Sequence, residues 1–192
     1  MLEFCEIAQI LSGIAIQEAQ DGPARFMRLS DLSDLKCGRA PSLAIGAEPA
    51  VARAMAIEGG DLIVGARGAS TDICLASNSV LGAFVSLDLY LVRPDASKVD
   101  PGFLAAFLEL PATQAVLASG KQGSGLARLP KDALDKLEIP LPPMSKQRLI
   151  AQLARSFRDE AELLRRLVDL NSILSREAVA RAFRAAKISS NS

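Results

Sequence analysis

Two arginines in this sequence stand where an exposed charge can reach a ligand. Arg67 precedes Gly68, and Arg128 follows Gly120-Lys-Gln-Gly123-Ser-Gly125, with few acids close by in either segment. A guanidinium presents a planar fork of donors that fits a phosphate or the major-groove edge of guanine. Flanking glycines let a backbone approach such a ligand closely. Lys121, Gln122 and Ser124 belong to the same glycine-rich stretch and are placed to approach a DNA backbone. The stretch is not a nucleotide loop. It lacks the Gly-Lys-Ser/Thr ending of a Walker loop, and its glycines do not join a strand to a helix. It reads as a flexible loop.

Other chemistry is scarce. The chain has no His, so it can build neither a Ser-His-Asp triad, nor a Cys-His dyad, nor a His-based zinc or iron site. It has no Trp and one Tyr, Tyr90, too few for an aromatic platform that stacks single strands. Cys5, Cys37 and Cys74 are odd in number and spaced like neither a zinc site nor a disulfide framework, so buried thiols in a reducing compartment are expected. Asp34-Leu-Lys36, with Asp21 upstream, has the acid-x-Lys form of a metal-dependent nuclease, but three common residues recur by chance. Leu141-Pro-Pro-Met144 lacks the flanking polar and aromatic residues of an adenine-methyltransferase step. No metal, cofactor or catalytic activity is expected of the chain itself.

The elements that must position these residues divide at Pro140-Leu-Pro-Pro-Met-Ser145. The whole chain balances 22 basic against 22 acidic residues, which conceals an asymmetry. Residues 1–144 hold 12 basic and 17 acidic side chains; residues 145–192 hold 10 and 5, with no Pro and no Gly. The N-terminus is acidic, which argues against a secretory signal, and the apolar runs are too short to span a membrane. A soluble, cytoplasmic protein is expected.

Residues 1–144 read as a mixed α+β domain. A short helix is predicted within Glu3–Leu11, ended by Ser12-Gly13. Strands are predicted at Phe26–Leu29, in Asp61–Arg67, within Val80–Val92 and at Leu137–Pro140, with turn text at Ser30–Asp34. Asp100 is placed to cap a helix from Pro101, a second helical stretch follows Pro111 and ends at Gly120, and a short helix runs from Pro130 to Lys136. Residues 145–187 read as one helix with Ser145 as N-cap, about 43 residues and roughly 65 Å long. Its 3.5-residue seam runs through Ile150, Leu153, Phe157, Glu160, Leu164, Leu167, Asn171, Leu174 and Ala178, and Leu163 and Leu170 widen it. A rod with such a seam needs a partner helix, and a coiled coil is expected rather than a fold-back onto the domain.

Three segments together resemble the DNA specificity subunits of type I restriction–modification systems. Gly60-Asp-Leu-Ile-Val-Gly-Ala-Arg67-Gly68 is similar to their Gly-Asp-strand-Arg-x-Gly segment. Leu126–Ala151, with Ile139-Pro-Leu-Pro-Pro143 and then Gln147 opening the long helix, resembles their most distinctive stretch. Glu6–Gly13 resembles the start of a target-recognition domain. Lys146 stands where the family carries an acid. The family's subunit has two recognition domains and two long antiparallel helices, so this chain resembles half of one. The resemblance implies a DNA target-recognition domain, residues 1–144, and a dimerising and spacing helix, residues 145–192. It implies double-stranded DNA and a DNA methyltransferase subunit as partners, and a homodimer. The expected DNA-contacting residues are Arg25, Arg28, Arg39, Arg67, Lys121, Gln122, Ser124 and Arg128. The expected dimer contacts are Ile150, Leu153, Phe157, Leu164, Leu167, Asn171 and Leu174. The alternative is a coiled-coil adaptor derived from such a subunit without DNA reading.

Overall fold

The computed structural model describes residues 1–19, 21–68, 70–123 and 127–189, with side chains through Arg184. The chain divides into two compact units, Met1–Ala154 and Arg155–Ser192. The first unit is α+β.

Its centre is a four-stranded antiparallel sheet in the order β2-β8-β5-β6, formed by β2 (Ala8–Ser12), β8 (Leu89–Pro94), β5 (Leu62–Gly65) and β6 (Ile73–Leu75). Both faces of the inner pair are buried. Leu62, Val64, Tyr90 and Val92 point into one core with Phe4, Ile7, Leu104 and Leu108. Ile63, Leu89 and Leu91 point into a second core with Met27, Leu32 and Val80. Side chains alternate with a period of two, so consecutive apolar residues are what a strand buried on both faces requires. A second sheet, ordered β4-β3-β7, joins β3 (Ala24–Met27), β4 (Ala44–Gly46) and β7 (Phe84–Val85). A two-residue pair, β1 (Leu2–Glu3) with β9 (Glu138–Ile139), closes the N-terminus onto the end of the domain.

The far end of the inner pair is fixed by charge. Arg93 clasps buried Asp61 through two hydrogen bonds of 2.9 and 2.8 Å, and donates a third to the Ala56 carbonyl. Asp61 holds the Arg93 guanidinium above its ordinary pKa, against the lowering effect of burial. A bidentate, hydrogen-bonded pair of this kind is one a protein interior tolerates.

Several sequence expectations meet stronger tertiary demands. In the predicted helix Glu3–Leu11, only α1 (Phe4–Ile7) is helical. Ala8–Ser12 instead pairs with β8, because Ala8 and Ile10 must alternate into the core. Ser30–Asp34 is helical, not a plain turn: a 3-10 turn at Leu29–Asp31 runs into α2 (Leu32–Lys36), which buries Leu32 and Leu35. Val80–Val92 holds two strands, β7 and β8, separated by a turn at Ser86–Asp88. Of the three cysteines only Cys74 is buried; Cys5 is exposed and Cys37 intermediate.

α3 (Pro101–Glu109) and α4 (Pro111–Ser119) cover the sheet. The Asp100 carboxylate accepts hydrogen bonds from the Gly102 and Phe103 amides, capping α3 as expected. Among the described residues no single helix is long and apolar enough to cross a membrane; α3 and α4 together reach the length, but with a 71° bend between them. α5 (Lys131–Asp135) precedes β9.

α6 (Met144–Ser189) is continuous over 46 residues. It starts at Met144, not after a Ser145 cap, because the Pro143 carbonyl accepts from the Lys146 and Gln147 amides. Its first turns pack on the domain. Gln147, 2% exposed, accepts from the Asp100 amide at 2.9 Å and donates to the Pro142 and Lys98 carbonyls. Ala151 lies against Gly102 so closely that a Cβ there would come within 2.9 Å of the Ala151 methyl. One buried amide thus joins the cap of α3, the proline linker and α6. Gln147→Ala should leave those groups unpaired and cost about 2–3 kcal/mol, read as a lower urea midpoint for residues 1–154.

Candidate nucleic-acid interface

β5 ends at Gly65, and the chain then runs directly to Arg67. The Ala66 amide donates to the Asp88 carbonyl at 2.8 Å, extending the β5–β8 ladder by one step. The segment around Arg128 is added to the same edge. Leu129 donates to the Ala66 carbonyl, Arg67 and Arg128 form an antiparallel bridge, and Gln122 and Arg128 exchange two 2.9 Å backbone bonds. Residues 66–67, 128–129 and 121–122 therefore lie side by side as a fringe on the central sheet.

The side chains converge on one carboxylate. Arg67 Nε donates to Asp88 Oδ1 at 2.5 Å, and an Arg128 terminal nitrogen lies 3.9 Å from the same oxygen. The Arg128 guanidinium also sits 5.6 Å above the Tyr90 ring, a cation–π arrangement. Tyr90 is 2% exposed, and its hydroxyl donates to the Leu129 carbonyl at 2.7 Å. Asp88 belongs to the turn between β7 and β8, which Gly13 holds in place. A Cβ on Gly13 would come within 1.9 Å of the Ser86 carbonyl oxygen, so only glycine allows this approach. Lys121 donates to the Gly68 carbonyl at 2.7 Å, and burial pushes its ammonium below its ordinary pKa, against the raising effect of Asp72.

The expected contact residues thus separate into groups. Arg67, Lys121, Gln122 and Arg128 share the fringe. Ser124 lies outside the described residues, as does Gly125, so the loop expected at Gly123–Gly125 is described only at Gly123. Arg28 pairs with Glu18 at 2.6 Å and lines, with Leu87 and Asp88, a cleft of about 380 Å³. Arg25 donates to the Leu81 carbonyl, and Arg39 pairs with Asp34; both are held by other parts of the domain. Two cations that the sequence did not single out border the fringe. Arg53 and Lys131 line a cleft of about 430 Å³ with Arg128, Ser12 and Leu87. Neither has a local sequence signal; only the fold brings them to Arg128. The nuclease pattern does not assemble, since Asp34 is engaged by Arg39 and Lys36 by Asp72 at 2.6 Å. Among the described residues no group of three acidic, His or Cys side chains is placed to hold a metal.

The family model for the type I restriction modification DNA specificity domain matches residues 47–168, and the chain belongs to that family. The fold is shared with solved structures. One is a chain of a type I R-M system, solved in work on its complex assembly and conformational transition (TM-score 0.63, 19% identity, 86% of this chain and 39% of that one). A second is the HsdS subunit from Thermoanaerobacter tengcongensis (0.59, 20%, 86% and 38%). A third is the S subunit of a type I system from M. genitalium (0.59, 15%, 88% and 41%). The chain spans about two fifths of the length of these structures. No curated protein sequence matches it.

The fringe depends on Tyr90. Tyr90→Phe should cost about 1–1.5 kcal/mol, the worth of one buried hydrogen bond, measured by urea unfolding.

Proposed function

We propose that residues 1–144 recognise a double-stranded DNA sequence and direct a partner DNA methyltransferase to it, and that residues 145–192 pair two copies of the chain. The observation that carries the reading is the fringe: in a chain of the specificity-domain family, two arginines from distant segments meet on one sheet edge beside Lys121 and Gln122. Their shared partner Asp88 is 44% exposed at its side chain, so the pair is open to solvent. A phosphate or a guanine edge presents a pair of acceptor atoms that a guanidinium fork can engage in place of the Asp88 carboxylate. Arg28, Arg53 and Lys131 extend the surface, and Arg25, Arg39 and Ser124 complete the proposed contact set. Methyl transfer, and any cleavage, belong to partner subunits in this reading. The setting is the cytoplasm.

Pairing is supported by exposure along α6. Leu153, Phe157, Leu164, Leu167 and Leu174 are each more than half exposed, and Ile150 is 40% exposed. Burying one such side chain is worth roughly 1.5–3 kcal/mol. A two-fold axis across the helix pair would relate two identical readers, and their site would be an interrupted palindrome.

Two measurements test this. Selection from a random duplex pool, with the methyltransferase subunit present, should enrich inverted half-sites separated by a spacer. Arg67→Ala with Arg128→Ala should weaken binding to the enriched duplex by about 1–3 kcal/mol per arginine if they read bases; unchanged affinity at fixed salt would remove the fringe from the interface. Leu164→Glu with Leu167→Glu places like charges in the seam and should convert a dimer to a monomer in light scattering.

A further inference from the structure

Arg67 meets Asp88 with one edge of its guanidinium only. The 2.5 Å hydrogen bond is donated by Nε, and neither terminal nitrogen has a partner among the described residues. The carboxylate is engaged just as unevenly. Arg67 and Arg128 both approach Oδ1, and among the described residues nothing pairs with Oδ2. Both side chains are open to solvent, Arg67 at 40% exposure. The pair therefore holds two kinds of free group side by side: the two terminal nitrogens of a fork, which donate, and a carboxylate oxygen, which accepts.

The backbones beneath the pair are fixed. The Leu89 amide donates to the Ser86 carbonyl at 2.9 Å and closes the turn that carries Asp88. The Ser86 amide donates to the Met27 carbonyl at 2.9 Å, and the Gly13 amide to the Leu89 carbonyl at 3.0 Å. Arg67 is bridged to Arg128 and follows the bond from the Ala66 amide to the Asp88 carbonyl. An exposed ion pair contributes about 0–1 kcal/mol to folding, so stability alone gives little reason for this mounting. A rigidly held pair with free donors and a free acceptor is pre-organised for a ligand.

The pattern of free groups selects the ligand. A phosphate offers the fork acceptors, but it has no donor for Oδ2 and its charge repels the carboxylate. In the major groove, adenine sets an N6 donor where guanine has O6, so one nitrogen of the fork would face a donor. A G·C pair presents guanine N7 and O6 as two acceptors and the cytosine N4 amino group beside them as a donor. That sequence complements a fork followed by a carboxylate oxygen. Nε stays on Asp88 while the terminal nitrogens take guanine. Arg128, 3.9 Å from Oδ1 and stacked on Tyr90, is the looser partner and the one free to exchange Asp88 for another acceptor.

We propose that Arg67 and Asp88 act as one unit that reads a single G·C base pair in the major groove, Arg67 on guanine and Asp88 on cytosine, with Asp88 also orienting the Arg67 fork. The proposal rests on the DNA-recognition reading above and adds to it the base pair and an acidic specificity residue.

Competition binding at fixed salt tests it, with the full chain, the methyltransferase subunit and the duplex enriched from the random pool. That duplex should contain a G·C pair at which Arg67→Ala and Asp88→Ala each lose preference by roughly ten-fold or more. Replacing the guanine by 7-deazaguanine, which lacks N7, should weaken the unmutated chain and leave Arg67→Ala unchanged. Replacing the cytosine by an analogue without the N4 amino group should weaken the unmutated chain and leave Asp88→Ala unchanged. Asp88→Asn keeps an oxygen for Arg67 Nε, so it should retain the guanine response and lose the cytosine one. Removing an acid also lowers repulsion of DNA, so Asp88→Ala should bind random-sequence duplex more tightly while losing the enriched one. Equal gains on both duplexes would make Asp88 a mere charge balance and overturn the proposal, as would a G·C preference that only Arg67→Ala alters. An enriched site with no base pair dependent on Arg67 overturns it while DNA recognition stands. A pool that yields no common sequence removes DNA recognition and this inference together.

Discussion

The rest of the domain depends on the register of β5 against β8. Leu62 lies opposite Val92 and Gly65 opposite Leu89, with both faces of the pair buried. A slip of one residue would exchange the contents of the two cores, so burial fixes the register without help from any turn. The two ends of this ladder each carry an arginine–aspartate pair. At one end the register delivers Asp61 to Arg93, where a carboxylate buried to 1% exposure finds two donors on one guanidinium. At the other end it delivers Ala66 to Asp88, and so brings Arg67 to the turn that carries the Asp88 carboxylate. The geometry of the arginine fringe is therefore a consequence of hydrophobic alternation several residues away.

The attachment of α6 follows a different logic. Pro140 follows β9, and beside the proline linker lie the Asp100 amide and the Lys98 and Pro142 carbonyls. Gln147 supplies one acceptor and two donors to the Asp100, Pro142 and Lys98 backbones, and Gly102 supplies the space. A hydrophobic side chain at 147 would fill the volume but orphan these groups, at the full cost of burying them. The first turns of the long helix are thus built into the domain by polar satisfaction, whereas β5 and β8 are held by apolar burial.

This contrast explains what was legible in the sequence. α3, with Asp100 and Pro101 at its start, α4 with Gly120 at its end, and α6 with its long apolar seam and no Pro or Gly all carry local signals, and all are present. The strand Leu62–Gly65 is an apolar run between glycines. What local text could not show was set by long-range pairing. Ala8–Ser12 has helix-compatible spacing but completes the sheet against β8. β4 is three residues long, too short for any alternation to register. The fringe was half legible: Arg67 and Arg128 were marked by the glycines beside them, while their meeting at Asp88 depends on residues far apart in sequence. Arg53 and Lys131 carry no signal at all, because a surface exists only after folding. Arg93, a residue of the same type, turns out to be committed to the core.

The acidic balance of residues 1–144 acquires a physical meaning once these pairs are known. At least eight of its twelve cations, Arg28, Lys36, Arg39, Arg67, Arg93, Lys98, Arg128 and Lys131, stand in ion pairs. Nonspecific affinity for DNA comes from releasing counterions as cations neutralise phosphates. A side chain already neutralised by a carboxylate must give up that partner first, so pairing of this kind weakens any sequence-independent grip on DNA. Exposed pairs are worth only about 0–1 kcal/mol each, so the loss is recoverable where the incoming group is a better acceptor. In the proposed reading, an acidic reader of this kind would discriminate through a few forks that exchange one partner for another, with the bulk of the backbone attraction supplied by the partner subunit.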